Sequence, residues 1–275
     1  TEFQKFTSSP IKANSIIVEF LKPATVSEKE KLCIQSIGLI TESFDSSLPE
    51  EFGSSGQCMI NAKCPEFEDW CNQRRSVALI VRILQNDGEI LLGTGSLITN
   101  ERKDGKPLLL TAFHLIDTND NNLIDQSEKD EIQNWLFIFN HQTENCNNPI
   151  FQTTSLFYSI PGATYINSHK NSDYALIQLN QKPPGNYNAY YNGWSNEVDY
   201  MTNTGVCFHH PSGDVKKVSA WEKTSTLKVN FWKVKWNAGS TSGGSSGAPL
   251  ISSEGFIVGQ NYGTTRKPAC DEDKR

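Results

Sequence analysis

The residues best suited to chemistry are a histidine, an aspartate and a serine, each next to an apolar run. His114 follows the run Leu108–Leu110, Asp173 directly precedes another such run, and Ser246 lies in the glycine-rich turn 243–247. A serine hydroxyl is a poor nucleophile unless a neighbouring imidazole takes its proton. The imidazole in turn needs a carboxylate to hold its tautomer. These three residue types therefore predict an activated serine nucleophile.

Glycines surround the candidate nucleophile in the segment Gly243-Gly244-Ser245-Ser246-Gly247. Because glycine has no Cβ, it lets the chain turn so that backbone N–H groups point toward one centre. N–H groups aimed in this way stabilise the negative charge on a carbonyl oxygen under attack. The turn therefore predicts that the serine attacks a carbonyl carbon.

The segments that must position these residues are short and β-rich. Asparagine, glycine and serine separate them at short intervals, and few of them show a helical period. Many short strands with such turn residues indicate an all-β sandwich or barrel. The runs are Val77–Leu84, Glu89–Ile98, Leu108–Leu110, Trp135–Asn140, Tyr174–Leu179, Gly205–His209, Leu227–Val234 and Gly255–Gln260.

The composition limits the class of protein. Of the 275 residues, 37% are hydrophobic and 20% are charged, which supports a packed core and argues against disorder. A formal net charge of −6 and a pI near 5.4 argue against nucleic acid as a partner. No apolar run is long enough to cross a bilayer, so no membrane span is predicted.

Further motifs occur along the chain in one order. They are Ser55–Cys58 with Cys64-Pro65, Gly93–Leu97, Tyr191–Trp194, His209–Lys217 and Gly244–Leu250. The chain order histidine, aspartate, serine is that of chymotrypsin-type proteases. In these motifs the chain from Cys58 to Cys270 resembles the lysyl endopeptidase branch of the trypsin-like serine proteases.

The resemblance implies an all-β, chymotrypsin-like double six-stranded β-barrel, with an N-terminal β-rich extension and a final strand or helix expected beyond Arg275. It also implies a serine endopeptidase that works through an acyl-enzyme and cleaves after lysine or another basic residue. In this scheme His114 is the general base, Asp173 orients it and Ser246 is the nucleophile. The backbone N–H groups of Gly244 and Ser246 form the oxyanion hole. His209 and His210 receive no catalytic role.

The resemblance also implies where substrate binds. Tyr262 and Gly263 fall where such proteases pair with the substrate backbone, and Ser240 stands at the base of the specificity pocket, six residues before the nucleophile. Ser240 is neutral, so the acid that selects a basic side chain is expected in 271–273 or beyond the chain. The preference for lysine is inherited from the resemblance.

The seven cysteines are scattered and form no CxxC pair or zinc-site spacing. Such usage indicates disulfides and a secreted, periplasmic or cell-surface protein, and buried free thiols in a cytosolic protein are the alternative. The resemblance implies the pairs Cys58–Cys270 and Cys64–Cys146, which leaves Cys71–Cys207 as the expected third pair and Cys33 free.

A candidate calcium loop follows the histidine directly. Residues 117–128 match the twelve-residue EF-hand loop in the spacing of their oxygen ligands, with an acid at the last position. Asn122 replaces the usual glycine and tolerates the left-handed conformation required there. The predicted ligands of a single structural Ca²⁺ are Asp117, Asn119, Asn121, Leu123 through its carbonyl, Asp125 and Glu128. The alternative is a solvated polar loop.

Two regions are expected along the chain. Residues 58–275 form the protease domain, and residues 1–57 are either a pro-region packed on it or the tail of a preceding β module. Within residues 1–57, two strands are predicted, Ser15–Phe20 and Cys33–Thr41.

Two other functional classes compete with the endopeptidase. One is a catalytically silent protease fold that binds a partner and is stabilised by calcium, or a latent precursor. The other is an esterase that uses the same residues. The expected partners are protein or peptide substrates, and the chain is expected to be a monomer.

Overall fold

A computed structural model of the chain describes residues 8, 11, 15–19, 34, 55–83, 90–147, 158–197, 204–228 and 231–263. The strands are β1 (Ile60–Asn61), β2 (Val77–Ile83), β3 (Ile90–Ile98), β4 (Leu108–Ala112), β5 (Leu136–Ile138), β6 (Ser159–Pro161), β7 (Ala163–His169), β8 (Tyr174–Leu179), β9 (Thr204–His209), β10 (Lys217–Lys228), β11 (Phe231–Ala238), β12 (Pro249–Ser252) and β13 (Ile257–Gln260). The helices are α1 (Cys71–Ser76) and α2 (Gln126–Glu131). Short 3-10 turns include Pro65–Trp70, Phe113–Leu115, Ile132–Asn134, Lys170–Ser172, Gly185–Tyr187 and Pro211–Gly213.

The first antiparallel sheet has the strand order β6-β5-β2-β3-β4-β8-β7. Its end strands β6 and β7 are one chain segment that is divided at Gly162, where the backbone takes φ +73°. The Gly162 N–H bonds to the Trp135 carbonyl at 2.8 Å, and the Gly162 carbonyl accepts from the Asn180 N–H at 3.0 Å. The two ends of the sheet therefore meet, and the sheet closes into a barrel.

The second sheet has the order β1-β10-β9-β12-β13, with β11 also paired to β10. All its pairings are antiparallel, and β10 with β11 forms a long hairpin at its edge. Two antiparallel sheets, one in each half of the domain, confirm the predicted all-β, chymotrypsin-like fold.

Each sheet encloses its own apolar core. Leu97, Leu109 and Phe137 are fully buried in the first, and Phe208 and Val218 in the second. The alternation of apolar residues produces these cores, because successive strand residues point to opposite faces. In β8 every second residue is buried, as a strand with one face on a core requires.

The predicted strand Ser15–Phe20 is wrong over the part that the structure describes. Residues 15–19 form no strand, and Ile17 is 94% exposed. Apolar residues alone do not make a strand, because the backbone also needs a paired neighbour. The predicted strand Cys33–Thr41 lies outside the described residues except for position 34. The division at residue 57 stays a prediction.

One predicted disulfide is present. Cys64 and Cys146 are bonded across a separation of 82 residues, which ties the start of the domain to the loop after β5. Cys58 is also disulfide-bonded, and its predicted partner, Cys270, lies outside the described residues.

The predicted Cys71–Cys207 disulfide is wrong. Cys71 and Cys207 are both free thiols. Cys207 is fully buried within β9, whereas Cys71 lies half-buried at the start of α1. Burial raises the pKa of the Cys207 thiol, which keeps it protonated and unreactive. Elimination failed here because buried free cysteines pack as small apolar residues.

Within the described residues, every helix is too short or too polar to cross a membrane.

Candidate active site

The pairing of β4 with β8 brings the histidine and the aspartate together. Ala112 at the end of β4 lies opposite Tyr174 at the start of β8. His114 is in the 3-10 turn that follows β4, and Asp173 directly precedes β8. An antiparallel pair places the exit of one strand beside the entrance of the next. The two side chains therefore meet although 59 residues separate them.

Several contacts hold Asp173 in place. It adopts the left-handed conformation with φ 55°, is only 2% exposed, and its carbonyl accepts from the Phe113 N–H at 2.7 Å. The Gln260 side-chain amide also donates to this carbonyl. Left-handed aspartate is uncommon, and these bonds compensate for it.

The carboxylate holds the imidazole by both backbone and side chain. Asp173 Oδ1 accepts from the His114 backbone N–H at 3.0 Å, and Oδ2 lies 2.9 Å from His114 Nδ1. A carboxylate only accepts, so Nδ1 carries the proton and Nε2 is left as an acceptor. His114 Nε2 lies 2.8 Å from Ser246 Oγ. The histidine side chain is 36% exposed, so substrate can reach it.

The turn around Ser246 leaves two backbone donors free. Among the described residues, the N–H groups of Gly244 and Ser246 donate no hydrogen bond, whereas those of Ser245 and Gly247 do. Gly244 takes φ +85°, a conformation that other residues rarely adopt. The free N–H groups are those predicted for the oxyanion hole.

A second histidine supports this turn from below. His209 Nδ1 lies 2.8 Å from Ser245 Oγ, and Nε2 lies 3.0 Å from Ser219 Oγ. Ser219 donates to the Ser240 carbonyl at 2.8 Å, so its oxygen accepts from Nε2–H and His209 Nδ1 accepts from Ser245. Burial, together with the charge of Lys217, lowers the pKa of His209 to about 3.

The segment after His209 also supports the turn. The Ser212 N–H donates to the Gly243 carbonyl at 2.5 Å. Buried beside it, Asp214 forms an ion pair with Lys217 at 3.3 Å, and Asp214 also accepts from the Ser55 hydroxyl. Lys216 is fully buried and donates to the Arg74 carbonyl, and burial lowers its pKa to about 7.

An aromatic wall stands beside the histidine. The ring of Tyr262 meets the His114 ring edge-on, with centroids 5.6 Å apart. Phe231, at the start of β11, packs on Tyr262 at 4.8 Å. Tyr262 was predicted from the sequence, whereas Phe231 was not, because no local motif marks it. Gly263 follows and is exposed.

The predicted specificity pocket is only partly described. Ser240 is 5% exposed, and its backbone carbonyl is bonded to Ser219. Residues 271–273, the candidate acids for a basic substrate, lie outside the described residues.

The loop 117–128 supplies oxygen atoms but holds most of them in hydrogen bonds of its own. Asp117 Oδ2 accepts from the Asn122 N–H at 2.9 Å, and Asn122 takes φ 68°, as predicted for that position. Asp125 and Glu128 form a capping box at the start of α2. Asp117 Oδ1 is buried and has no hydrogen-bond partner within the described part of the chain.

Several candidate cation ligands in this loop are neutral asparagine side chains. Asn119 Oδ1 accepts from the Asn121 N–H at 3.0 Å, and Asn121 Oδ1 accepts from the Leu123 N–H at 2.7 Å. In the described part of the chain, no group of three or more His, Cys, Asp or Glu side chains gathers around one point. A cation here would therefore rely on amide and carbonyl oxygens as much as on carboxylates.

Comparison with known proteins places the chain. The family model for the lysyl endopeptidase C-terminal domain matches residues 52–274. A lysyl endopeptidase of Pseudomonas aeruginosa is 26% identical over 260 residues, which is 91% of this chain and 54% of that protein. The chain thus spans about half the length of this curated relative.

Among solved structures, a serine endoprotease from Yersinia pestis has a TM-score of 0.46 at 16% identity, covering 70% of this chain and 54% of that chain. The inactive form of Rv3671c from M. tuberculosis has a TM-score of 0.41 at 15% identity, covering 70% of this chain and 77% of that chain. The assignment rests on the family model, which matches residues 52–274. The chain belongs to the lysyl endopeptidase C-terminal domain family of trypsin-like serine proteases.

Proposed function

We propose that the protein is a serine endopeptidase that hydrolyses peptide bonds through an acyl-enzyme intermediate. The continuous path from the Asp173 carboxylate through His114 to Ser246 Oγ carries this proposal. The His114 side chain in this path is 36% exposed and so reachable by substrate. Ser246 lies next to two backbone donors that have no partner among the described residues.

The chemistry follows from this geometry. Ser246 Oγ attacks the carbonyl carbon of the scissile bond while its proton passes to His114 Nε2. The resulting imidazolium is stabilised by Asp173, and the carbonyl oxygen, now negative, binds the N–H groups of Gly244 and Ser246. His114 then gives the proton to the leaving amine, and the acyl group stays on Ser246. Water, deprotonated by His114, releases the acid and restores the serine.

We further propose cleavage after lysine or another basic residue. The family description and the printed name of the Pseudomonas relative support this specificity. Ser240 contributes no charge to the pocket, so an acid in 271–273 is the candidate for binding the substrate cation. Arginine binds such an acid in a bidentate manner and lysine binds it as a point charge, so the two substrates need not be equivalent.

The first experiment labels the chain with a fluorophosphonate probe. Wild type and Ser245→Ala are expected to label, and Ser246→Ala is not. Ser245→Ala is the matched control because it removes the adjacent hydroxyl but leaves the path to Asp173 intact. Labelling of the folded Ser246→Ala variant would show that another group reacts and would overturn the proposal.

Profiling with peptide libraries then tests specificity. Cleavage after lysine and arginine, reduced by neutralising residues 271–273, is the expected result. Cleavage of esters without cleavage of peptides would favour the esterase. A folded chain that neither labels nor cleaves would favour a silent module or a latent precursor, and removal of residues 1–57 would restore activity only in the precursor.

The same proposal concerns location and assembly. The Cys64–Cys146 disulfide supports an oxidising compartment, and hence a secreted, periplasmic or cell-surface enzyme. We also propose that the chain acts as a monomer, which sedimentation of the active protein would test.

We also propose that the loop 117–128 binds one structural Ca²⁺. The buried Asp117 Oδ1, which meets no donor among the described residues, supports it, because a desolvated carboxylate oxygen without a donor is costly unless a cation binds. The side chains of Asn119, Asn121, Asp125 and Glu128 and the Leu123 carbonyl complete the oxygen set. Glu128 Oε2 accepts the capping-box bond from the Asp125 N–H at 3.0 Å and keeps a further lone pair for a cation. Glu128 Oε1 already accepts from the Thr118 N–H at 2.8 Å and from the Thr118 hydroxyl at 3.2 Å.

Calorimetric titration with CaCl₂ tests this loop, together with melting temperatures in CaCl₂ and in EGTA. Calcium is expected to raise the melting temperature of wild type and of Asp104→Asn, a control carboxylate in another turn. Asp117→Asn is expected to lose the shift. Absence of both heat and stabilisation at millimolar calcium would leave the solvated-loop interpretation.

A further inference from the structure

The turn 243–247, here called the oxyanion turn, contains glycines that let its peptide units rotate. A peptide unit next to glycine can rotate at little steric cost, and a rotated unit presents a carbonyl where an N–H is needed. Preorganised donors help catalysis only if they stay oriented. Something outside the turn must therefore fix its peptide planes.

Two of these planes carry the candidate oxyanion donors, and each is held through its carbonyl. The Gly243 carbonyl accepts from the Ser212 N–H at 2.5 Å. The Ser245 carbonyl accepts from the Asn261 side-chain amide at 3.1 Å. In both units the carbonyl is bound on one side, and the N–H on the other side is left for substrate.

One residue of β3 holds the other two peptide units of the turn, those that contain the Gly244 and Ser246 carbonyls. Thr94 donates its backbone N–H to the Ser246 carbonyl at 2.9 Å and its hydroxyl to the Gly244 carbonyl at 2.8 Å. The same hydroxyl oxygen accepts from the His210 N–H at 3.1 Å. An N–H can only donate, so the hydroxyl proton must point at Gly244.

Thr94 is well suited to this task. It is fully buried, so water does not compete for these bonds. Its branched Cβ restricts χ1, which limits the directions that the hydroxyl can take. Its own carbonyl accepts from the Thr111 hydroxyl at 2.8 Å, which also holds the peptide unit that follows Thr94.

We infer that Thr94 is a positioning residue for the oxyanion hole, an inference that rests on the proposed endopeptidase function. It contacts neither the nucleophile hydroxyl nor the imidazole in this structure. It acts through the carbonyls of Gly244 and Ser246, and so through the two peptide units that alternate with those carrying the oxyanion donors. Its hydroxyl therefore contributes to kcat and little to KM, because the oxyanion exists only after attack.

The test compares Thr94→Val, which keeps the shape and loses the hydroxyl, with Thr94→Ser, which keeps the hydroxyl. Hydrolysis of a fluorogenic peptide ending in lysine, or of the best substrate from profiling, is measured on the full 275-residue chain. Thr94→Val is expected to lower kcat about 10- to 100-fold, with KM within about threefold of wild type. Thr94→Ser is expected to restore kcat to within about threefold.

Ser96→Ala is the matched control on the same strand. Ser96 is fully buried, and its hydroxyl lies 2.8 Å from that of Ser76, away from the turn. This variant is expected to lower the melting temperature as Thr94→Val does while leaving kcat unchanged. Should Thr94→Val fold poorly because its methyl faces the Gly244 carbonyl and the His210 N–H, Thr94→Ala carries the test, since it places no group there.

A second readout separates positioning from general damage. A peptidyl trifluoromethyl ketone forms an oxyanion on the serine, so its Ki is expected to rise by the same factor as kcat falls. An unchanged kcat in Thr94→Val, an equal loss in Ser96→Ala, or no rescue by serine would overturn the inference. If wild type itself cleaves no peptide, the proposed function fails instead.

Discussion

Two neighbouring serines each lie 2.8 Å from a histidine, yet their surroundings differ. Ser246 lies beside His114, whose other nitrogen faces the Asp173 carboxylate. Ser245 lies beside His209, whose other nitrogen faces the Ser219 hydroxyl. The first histidine side chain is 36% exposed, and His209 is fully buried.

The two histidines differ in the group that could balance a positive charge on the ring. Taking the serine proton makes an imidazolium, and beside Asp173 that charge is compensated. Among the residues that the structure describes, no carboxylate beside His209 compensates such a charge, and burial with the nearby charge of Lys217 lowers the pKa of His209 to about 3. The bond between Ser245 and His209 is therefore structural, whereas the same bond length at Ser246 has the surroundings that the proposed proton transfer requires.

Removing the carboxylate is expected to have the largest effect on activity. Asp173→Asn makes the surroundings of His114 resemble those of His209, because an amide donates where the carboxylate accepted. We expect kcat to fall about 10⁴-fold at neutral pH, measured as single-turnover hydrolysis. A fall of less than about tenfold would contradict the role assigned to Asp173.

Removing the second serine is expected to have a smaller effect. Ser245→Ala leaves His209 Nδ1 buried without its donor, which costs about 1–3 kcal/mol of unfolding free energy. Activity per folded molecule is expected to fall by about tenfold or less, since the turn retains its other bonds. Urea unfolding and active-site titration measure the two quantities separately. A loss as large as that in Ser246→Ala would show that the two serines act as one unit.

Lowering the pH is expected to reduce the free energy of unfolding because of the buried histidines. Burial lowers the pKa of His209 to about 3 and that of His141 to about 4, from an ordinary value of 6.5. Between these values the unfolded chain binds protons that the folded chain does not. Stability is therefore full above about pH 6.5 and falls as the pH drops toward the folded values, by about 1.4 kcal/mol per unit for each histidine.

His209→Gln is expected to remove one histidine's share of this slope. Urea unfolding of wild type and variant between neutral pH and pH 4.5 measures it, and exposed His169→Gln is the control for loss of an imidazole. Equal slopes in wild type and His209→Gln would mean that His209 is charged in the folded protein.

The local sequence was enough to predict the catalytic candidates. His114 and Asp173 stand where paired strands end and begin, and Ser246 stands in a glycine turn, so strand ends and turn glycines identify all three. The Cys64–Cys146 pair was implied by the resemblance and is present. The Cys71–Cys207 pair is wrong because the number of cysteines carries no information about which thiols face each other.

Thr94 and Phe231 show what the sequence did not reveal. Thr94 reaches Gly244 across a separation of 150 residues, and it occupies an ordinary apolar strand. Phe231 meets Tyr262 only because the β10–β11 hairpin extends toward His114. Neither has a local motif, since their roles consist of contacts with distant segments.

The sequence alone was enough to predict which side chains are the catalytic candidates and that strands carry them. Nucleophile, base and turn glycines have specific residue types, and strand patterns are local. Only the tertiary structure decided which carbonyls the turn bonds to, which histidine is buried and which thiols stay free. Those outcomes depend on desolvation and on the register between two sheets. Both arise only when distant segments pack together.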